Sequence, residues 1–407
     1  MTEVLLLVGI LVAIFVGYNI GGATTGPAFG PAVGANVITK TMAAALMSIF
    51  FFVGAATIGP QVVDTLGNEL VHDTGVFTMR SNVAVLFFIG GALFIGNYVG
   101  VPASTSMTAV GAIAALGLAT GELAWDVLGQ IVIWWVVAPI IGFWVAGVVG
   151  RYFYPQINEW IAIEASRDGR EMITVDRSGV VPRLQFGDGA DRREITGAFV
   201  VVGIGCLMGF SSETSNIANA IAPIYGAVDG TGTEIALGSL AIPFGMPALI
   251  VIGSFAVAIG CFTIARRTLD TLGNDITNLP LTAAIVVAVI SSVIVVALSW
   301  IGIPASFVVI ATMSIIGLGW GRATRTTTLS EARAGEETRV SVGALTADEE
   351  GEAPPEIGEE EPEDIPTASD LFNPSTTARV ILMQNVVPVI STVGAFLTFR
   401  FIPIFGF

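Results

Sequence analysis

The sequence predicts an all-α integral membrane protein that consists of two homologous repeats, taken to be inverted relative to each other, with broken or re-entrant helices where the repeats meet. Three observations support this fold class. They are a composition that is apolar and poor in charge, a series of long apolar runs, and short motifs that occur twice in the same order.

The composition and the apolar runs place the chain in a bilayer. Of the 407 residues, 53% are hydrophobic and only 12% are charged, and the mean hydropathy is +0.80. Soluble domains carry about 25% charged residues. Most of the runs approach the roughly 20 residues that a spanning helix needs, and the first is expected to be a retained helix rather than a signal peptide. The runs cover residues 1–18, 41–58, 83–95, 127–149, 195–210, 235–265, 281–298, 301–318 and 380–399.

Three short motifs occur twice, in the same order and at nearly constant spacing. "NIGGA" at 19–23 matches "NIANA" at 216–220, "DTLGNEL" at 64–70 matches "DTLGNDI" at 270–276, and "GVPAS" at 100–104 matches "GIPAS" at 302–306. The sequence therefore predicts a duplication. The predicted segments are a first transmembrane repeat at 1–150, a polar linker with seven arginines at 151–194, the first part of a second repeat at 195–321, an acidic and disordered loop at 322–378, and the last span at 379–407.

The charged residues lie mainly between the apolar runs and favour two further predictions. The acidic loop is expected to solvate the chain rather than to bind a partner. Lys40 is the only lysine among 17 basic residues in a chain of net charge −16. This pattern is typical of a host that lives in high salt, a halophile, where screening lengths are short, although a GC-rich genome would also favour arginine over lysine. No nucleic-acid partner is expected, because the basic patches are missing.

Duplicated membrane halves are typical of secondary transporters, whose substrate sites lie where the halves meet. The paired motifs are expected to break helices there, within "GGATTGPAFGPAVGAN" at 21–36, "GVPASTSMT" at 100–108 and "GIPASF" at 302–307. Broken helices free backbone N–H groups, which together with hydroxyls suit an anion. The alternative is that the small residues only allow close helix packing.

The same residues resemble the inorganic phosphate transporter (PiT) family. In "GFSSETSNIANAIAPI" at 209–224 the family pattern is kept by Phe210, Ser211, Ala218, Asn219, Ala220 and Pro223, and Pro102, Ser104 and Thr105 resemble its Pro-x-Ser-Thr element. The resemblance implies ion-coupled symport of an inorganic tetrahedral oxyanion by alternating access in the plasma membrane, with phosphate as the family's substrate. "YNIGGAT" at 18–24 is similar to the family's sulfate-permease branch, which makes sulfate the alternative.

The departures from the family pattern bear on the substrate and on the coupling ion. The family's paired aspartates are replaced by Asn19 and Asn216, and its histidines by Ser212 and Met107. Sulfate is fully deprotonated, so a carboxylate would repel it without gaining a hydrogen bond, whereas amides can donate. Glu213 could supply a carboxylate in their place, so phosphate and sulfate both stay open, as do sodium and a proton as coupling ions.

The candidate residues follow from these motifs. The predicted substrate-binding residues are Asn19, Gly21, Thr24, Thr25, Ser104, Thr105, Ser215, Asn216, Asn219 and Ser306. The predicted ion-coupling residues are Glu213, Asn19 and Asn216. The alternative for Glu213 is that it lies in a solvated mouth of the protein above Phe210 and has no role in coupling. Four tryptophans are interpreted as interfacial or packing residues, namely Trp134, Trp135, Trp300 and Trp320.

Other classes of function fit the sequence less well. The chain has a single histidine, and its two cysteines lie inside apolar segments. The sequence therefore offers neither a nucleophile with a base nor a metal site, and an enzyme is not expected. No cofactor is implied. An uncoupled anion channel remains an alternative, because anion pores also use helix N-termini and hydroxyls. A homo-oligomer is compatible with the sequence.

Overall fold

The computed structural model describes residues 2–34, 36–99, 104–161, 173–176, 183–186, 192–232, 234–237, 240–265, 281–323 and 374–402. Its helices are α1 (Thr2–Gly34), α2 (Lys40–Thr57), α3 (Gly59–Asp64), α4 (Met79–Val99), α5 (Thr105–Thr120), α6 (Trp125–Tyr152), α7 (Tyr154–Ile161), α8 (Arg192–Val228), α9 (Met246–Phe262), α10 (Leu281–Trp300), α11 (Phe307–Ala323) and α12 (Pro374–Phe401). A π-helical turn, Thr65–Glu69, follows α3, and a 3-10 turn, Thr74–Val76, precedes α4.

Six helices in the described part of the chain are long and apolar enough to cross a membrane, which confirms the prediction of a multi-pass, helical membrane protein. They are Val4–Gly30, Lys40–Thr57, Met79–Tyr98, Trp125–Tyr152, Ile195–Val228 and Thr282–Trp300. Helices α5, α9 and α11 are apolar but shorter. Large apolar side chains are exposed along the outer helices, for example Ile133 and Val136 of α6, as expected for surfaces that face lipid.

Two short antiparallel hairpins lie in connecting segments. Strands β1 (Ile173–Asp176) and β2 (Arg183–Phe186) pair within the predicted linker at 151–194. Strands β3 (Glu234–Leu237) and β4 (Leu240–Pro243) pair between α8 and α9. The apolar run at 235–265, expected to span, is therefore a hairpin followed by the 17-residue α9. Most of the predicted acidic loop, and the motif at 270–276, lie outside the described residues.

Helices α1 and α8 are continuous, so the prediction that they break at the first paired motif is wrong. Proline lies inside both, Pro27 in α1 and Pro223 in α8. A proline removes one backbone hydrogen bond, but membrane helices tolerate this loss where neighbouring helices and hydroxyls satisfy the freed groups. In α1 the Thr24 and Thr25 hydroxyls each donate to the carbonyl four residues earlier at 2.7 Å, whereas the carbonyl that loses its helical partner at Pro27 is that of Ala23.

The chain instead leaves helical geometry at the ends of two helical hairpins. Among the described residues these ends, called the hairpin tips, are residues 104–106 at the start of α5 and residues 301–306 between α10 and α11. Helices α4 and α5 are antiparallel, because residues before α4 bond to residues after α5: Ala124 N–H donates to the Leu70 carbonyl at 3.0 Å. Helices α10 and α11 are likewise antiparallel, because Ala283 at the start of α10 packs with Leu318 near the end of α11. At the second tip Gly302 has φ +76°, a conformation that glycine adopts without strain.

The core of the bundle forms where α1, α2, α8 and α9 pack closely. Helix α2 contacts α8, and α9 contacts α1. Gly260 of α9 lies against the Tyr18 carbonyl of α1, and Gly54 of α2 lies against the Phe210 carbonyl of α8. Small residues allow membrane helices this approach. The bundle holds α8 in the centre of the molecule, where both hairpin tips reach it.

The close contact at Gly260 generates the first prediction. A methyl group at this position would overlap the Tyr18 carbonyl oxygen. Gly260→Ala should therefore destabilise the purified protein by about 1–3 kcal/mol, the usual cost of overpacking, and lower its Tm in detergent. Gly91→Ala is the matched control, because a methyl group there meets no atom within 4 Å. Equal Tm values for the two variants would contradict the packing described here.

Candidate anion-binding site

The candidate site lies at the middle of α8, where the two hairpin tips meet. The Ser215 hydroxyl of α8 accepts from the Ala305 N–H at 3.0 Å and lies 3.2 Å from the Ala305 carbonyl. Ser106, in the first turn of α5, donates to the same carbonyl at 3.0 Å. The Thr105 hydroxyl donates to Asn216 Oδ1 at 2.6 Å. Three segments far apart in sequence are thus joined by side-chain hydrogen bonds.

A small pocket opens beside these bonds, between α1, α8, α5 and α11. Its polar lining is neutral, and among the described residues no charged side chain contributes to it. The cavity volume, taken as the space open to the centre of a water molecule, is about 20 Å³. This volume holds little more than one water molecule. A tetrahedral oxyanion is larger than this space. The polar lining residues are Thr24, Thr105, Ser212, Asn216 and Ser306.

Hydrogen bonds fix which atoms of the pocket can donate to a ligand. Asn216 Oδ1 accepts both from Thr105 and from Asn219 Nδ2, the latter at 3.3 Å. Asn216 Nδ2 donates to the Ser212 hydroxyl at 2.8 Å. Since the Ser212 oxygen accepts this bond, its own hydrogen can point to a ligand. The amide oxygen of Asn216 is occupied twice, so the network offers donors more readily than acceptors.

Two helix N-termini lie at the pocket and add positive potential. Helix α5 begins at Thr105, and the Ser104 hydroxyl caps it by accepting from the Met107 N–H at 3.3 Å. Helix α11 begins at Phe307, which lines the pocket together with Val308. The first N–H groups of a helix have no partner inside the helix, and they favour anions together with the helix dipole.

The ten predicted substrate-binding residues fall into three groups. Thr24, Thr105, Asn216 and Ser306 line the pocket. Ser104, Ser215 and Asn219 are buried beside it and bond to its walls or neighbouring backbone. Asn19, Gly21 and Thr25 are not in the lining.

These last three residues face other helices, and their assignment to substrate binding stays a prediction. Asn19 Nδ2 donates to the Phe15 carbonyl at 2.8 Å, and its Oδ1 accepts from Asn97 of α4 at 3.0 Å. A methyl group on Gly21 would overlap a carbonyl of α9, and the Thr25 hydroxyl lies 3.2 Å from Cys261 Sγ. The reason is helix geometry: with 3.6 residues per turn, neighbouring positions of one motif point to different faces.

Glu213 is adjacent to Ser212 in sequence but does not line the pocket. Its side chain is 0% exposed, so the alternative of a solvated mouth above Phe210 is wrong. Within the described residues neither carboxyl oxygen has a hydrogen-bond partner.

Sequence reasoning missed three residues of the site. Ser212 was identified only as the residue that stands where the family has a histidine. It precedes Asn216 by one helical turn and therefore lies on the same face of α8. Ser106 joins the two hairpin tips. Trp135 of α6 was assigned to packing or the interface, yet its Nε1–H donates to the Pro304 carbonyl at 2.8 Å and fastens the second tip.

Comparison with known proteins identifies the family. The family model described as "Phosphate transporter family" matches residues 20–346, most of the chain and all of the residues that build the pocket. The chain belongs to the phosphate transporter family. As a member it is a membrane transport protein and not an enzyme.

Proteins similar to this phosphate transporter family member are named either as sulfate permeases or as phosphate permeases. "Sulfate permease CysP" of Bacillus subtilis is 27% identical over 286 residues, 70% of this chain and 68% of that protein. "Putative phosphate permease" of Pyrococcus horikoshii is 23% identical over 342 residues, 71% of this chain and 82% of that protein. A solved structure titled "The sodium-dependent phosphate transporter" matches with a TM-score of 0.62 and 18% identity over 97% of this chain and 98% of that one, a likeness of fold.

The bond between Thr105 and Asn216 generates the second prediction. Thr105→Val removes the donor and keeps the shape, which leaves a buried amide oxygen with only the longer bond from Asn219. Loss of such a bond costs about 1–3 kcal/mol, so we expect a lower Tm and faster amide hydrogen exchange at 104–108. Thr120→Val at the other end of α5 is the control, because its hydroxyl bonds only within its own helix. Unchanged exchange in Thr105→Val would show that this bond does not hold the tip.

Proposed function

We propose that this chain carries an inorganic tetrahedral oxyanion across the plasma membrane by ion-coupled symport and alternating access, with phosphate, the substrate in the family's description, as the first candidate. The observation that carries the proposal is the pocket beside the middle of α8. There, hydroxyls, an amide and two helix N-termini converge without a charged side chain among the described residues. A donor-rich, neutral pocket suits an anion that must be released again on each cycle.

Alternating access requires two bodies that move against each other, and the proposal assigns them to two homologous halves with the boundaries 1–150 and 195–407. In support, α1, α2, the α4–α5 hairpin and α6 are followed in the second half by α8, α9, the α10–α11 hairpin and α12. Helices at matching positions of the two halves pack against each other's half. Helix α1 packs on α9 and α8 on α2, while α5 packs on α12 and α11 on α6. Such reciprocal packing is what a pseudo-twofold relation produces.

Sulfate is the second candidate, and the hydrogen bonds of the pocket favour it. Monohydrogen phosphate has a proton that needs an acceptor, whereas sulfate only accepts. Here the Asn216 oxygen is already occupied twice, and no carboxylate lines the described pocket. A relative named as a sulfate permease supports the same reading.

The coupling ion is either sodium or a proton. The structural neighbour is named as sodium-dependent, but the two positions at which the family's aspartates are replaced hold amides in this chain. Asn216 Oδ1 already accepts two hydrogen bonds and Asn19 Oδ1 accepts one from Asn97, so the two amide oxygens have little acceptor capacity left for a cation. Sodium is a hard cation that prefers oxygen ligands with charge or strong dipoles. These contacts favour the proton.

Uptake into proteoliposomes tests the proposed function. The full chain is reconstituted, and labelled phosphate and sulfate are offered in separate assays with imposed sodium or pH gradients. Saturable accumulation of either anion above equilibrium supports the proposal and names the substrate. Uptake that only equilibrates, at a rate far above ordinary transporter turnover and without dependence on either gradient, would identify a channel instead. Absence of any uptake would overturn the proposal.

Restoring a carboxylate to the pocket generates the third prediction. Asn216→Asp places a negative charge beside Ser212 and Thr105. Sulfate uptake should fall at least about tenfold, because the carboxylate repels it, while phosphate uptake should fall less, because its proton can bond the new acceptor. The readout is the ratio of the two kcat/KM values. Asn36→Asp, in the connection between α1 and α2, is the control that should leave this ratio unchanged. An equal loss for both anions would contradict the proposed basis of selectivity.

A further inference from the structure

Glu213 is a buried carboxyl group that the anion pocket does not use. It lies near the middle of the span Ile195–Val228, it is fully buried, and within the described residues its oxygens have no hydrogen-bond partner. An isolated ionised carboxylate is very costly away from water, and ionisable groups inside membranes usually serve function. A structural role would require partners for these oxygens, and the described residues supply none.

Polar groups from two neighbouring helices lie near Glu213. Cys261 of α9 bonds to Thr25 of α1, at 3.2 Å between Sγ and Oγ1. The buried Cys261 thiol is close enough to Glu213 for the two groups to interact electrostatically. Cys261 is therefore the titratable group of α9 on this side of α8.

The surroundings suit a proton better than a metal cation. The Thr25 hydroxyl donates to a carbonyl of its own helix at 2.7 Å, and its neighbour Cys261 offers a sulfur atom rather than an oxygen. A hard cation needs several oxygen ligands around it, and the described residues contain no group of three acidic, histidine or cysteine side chains that could hold a metal ion. A proton requires only one carboxyl oxygen.

We propose that Glu213 is the proton-binding site that couples anion transport to the proton gradient, an inference that rests on the proposed transport function. The proton binds a carboxylate oxygen from one aqueous side and leaves to water on the other side with the anion. Ser212 and Glu213 are adjacent, so the two ligands bind on neighbouring faces of one helix. A bound oxyanion repels ionised Glu213 through a medium of low polarity. Each ligand therefore raises the affinity for the other, because such coupling is reciprocal.

Glu213→Gln in proteoliposomes tests this assignment. With an exterior that is more acidic by one pH unit and the membrane potential held at zero, the wild type should accumulate the transported anion up to about tenfold over its outside concentration, since one pH unit is a factor of ten in proton activity. The variant should accumulate none, yet should still exchange labelled for unlabelled anion without a gradient, because the neutral amide resembles the protonated carboxyl group. Glu122→Gln, at the loop after α5, removes a carboxylate far from the centre of α8 and should accumulate anion as the wild type does.

Two results would overturn the inference while leaving the proposed function intact. One is pH-driven accumulation by Glu213→Gln at the wild-type level. The other is wild-type accumulation that requires sodium and ignores the pH gradient. A wild type that neither exchanges nor accumulates phosphate or sulfate would overturn the transport function itself, and the inference with it.

A measurement on the wild type keeps the test valid if the variant does not fold. The transported anion is added to the purified protein in weakly buffered detergent solution, and the pH change is corrected with a protein-free titration. Uptake of about one proton per chain on anion binding supports reciprocal coupling. Anion binding without proton uptake would overturn it.

Discussion

The structure depends on the hydrogen bonds that hold the two hairpin tips against the middle of α8. A hairpin tip leaves helical geometry inside the membrane, where an unsatisfied backbone group costs several kcal/mol. Ser215 meets this requirement at the second tip, because its single hydroxyl contacts both the N–H and the carbonyl of Ala305. Thr105 ties the first tip to Asn216. The pocket exists because both tips end at the same few residues of α8.

The same constraint explains why the pocket is neutral. The tips bring helix N-termini to the site, and these partial charges attract an anion without a lysine or arginine that would hold it tightly. Neutral hydroxyl groups also connect α8 to α10, where Ser211 bonds to Ser292 and Thr214 bonds to Ser299. Polar bonds of this kind between helices can be exchanged for others of similar energy. In the proposed transport cycle, such exchange lets the tips move to admit a ligand larger than the present pocket.

Sequence reasoning predicted the hairpin tips and the central motif of α8 because both have a local cause. Gly-x-Pro stops a helix wherever it occurs, and Asn216 lies in a motif that resembles the family pattern. It assigned Asn19, Gly21 and Thr25 to the site because they neighbour one another in the first copy of that motif, whereas the structure places them against other helices and outside the pocket lining. It also missed a fourth pair of matching segments, "GAATI" at 54–58 and "GCFTI" at 260–264, whose glycines make the close contacts of the bundle.

The sequence by itself determined that the chain is a membrane protein, that short motifs occur twice in it, and that its central motifs match the phosphate transporter family, because these properties depend on composition and local pattern. Only the tertiary structure decided which side chains meet. Continuous helices, rather than broken ones, place Ser212 and Asn216 on the pocket face and Glu213 on another face. The direction of a side chain on a helix and the partner helix that covers it depend on packing between segments 90 to 236 residues apart, which no local pattern specifies.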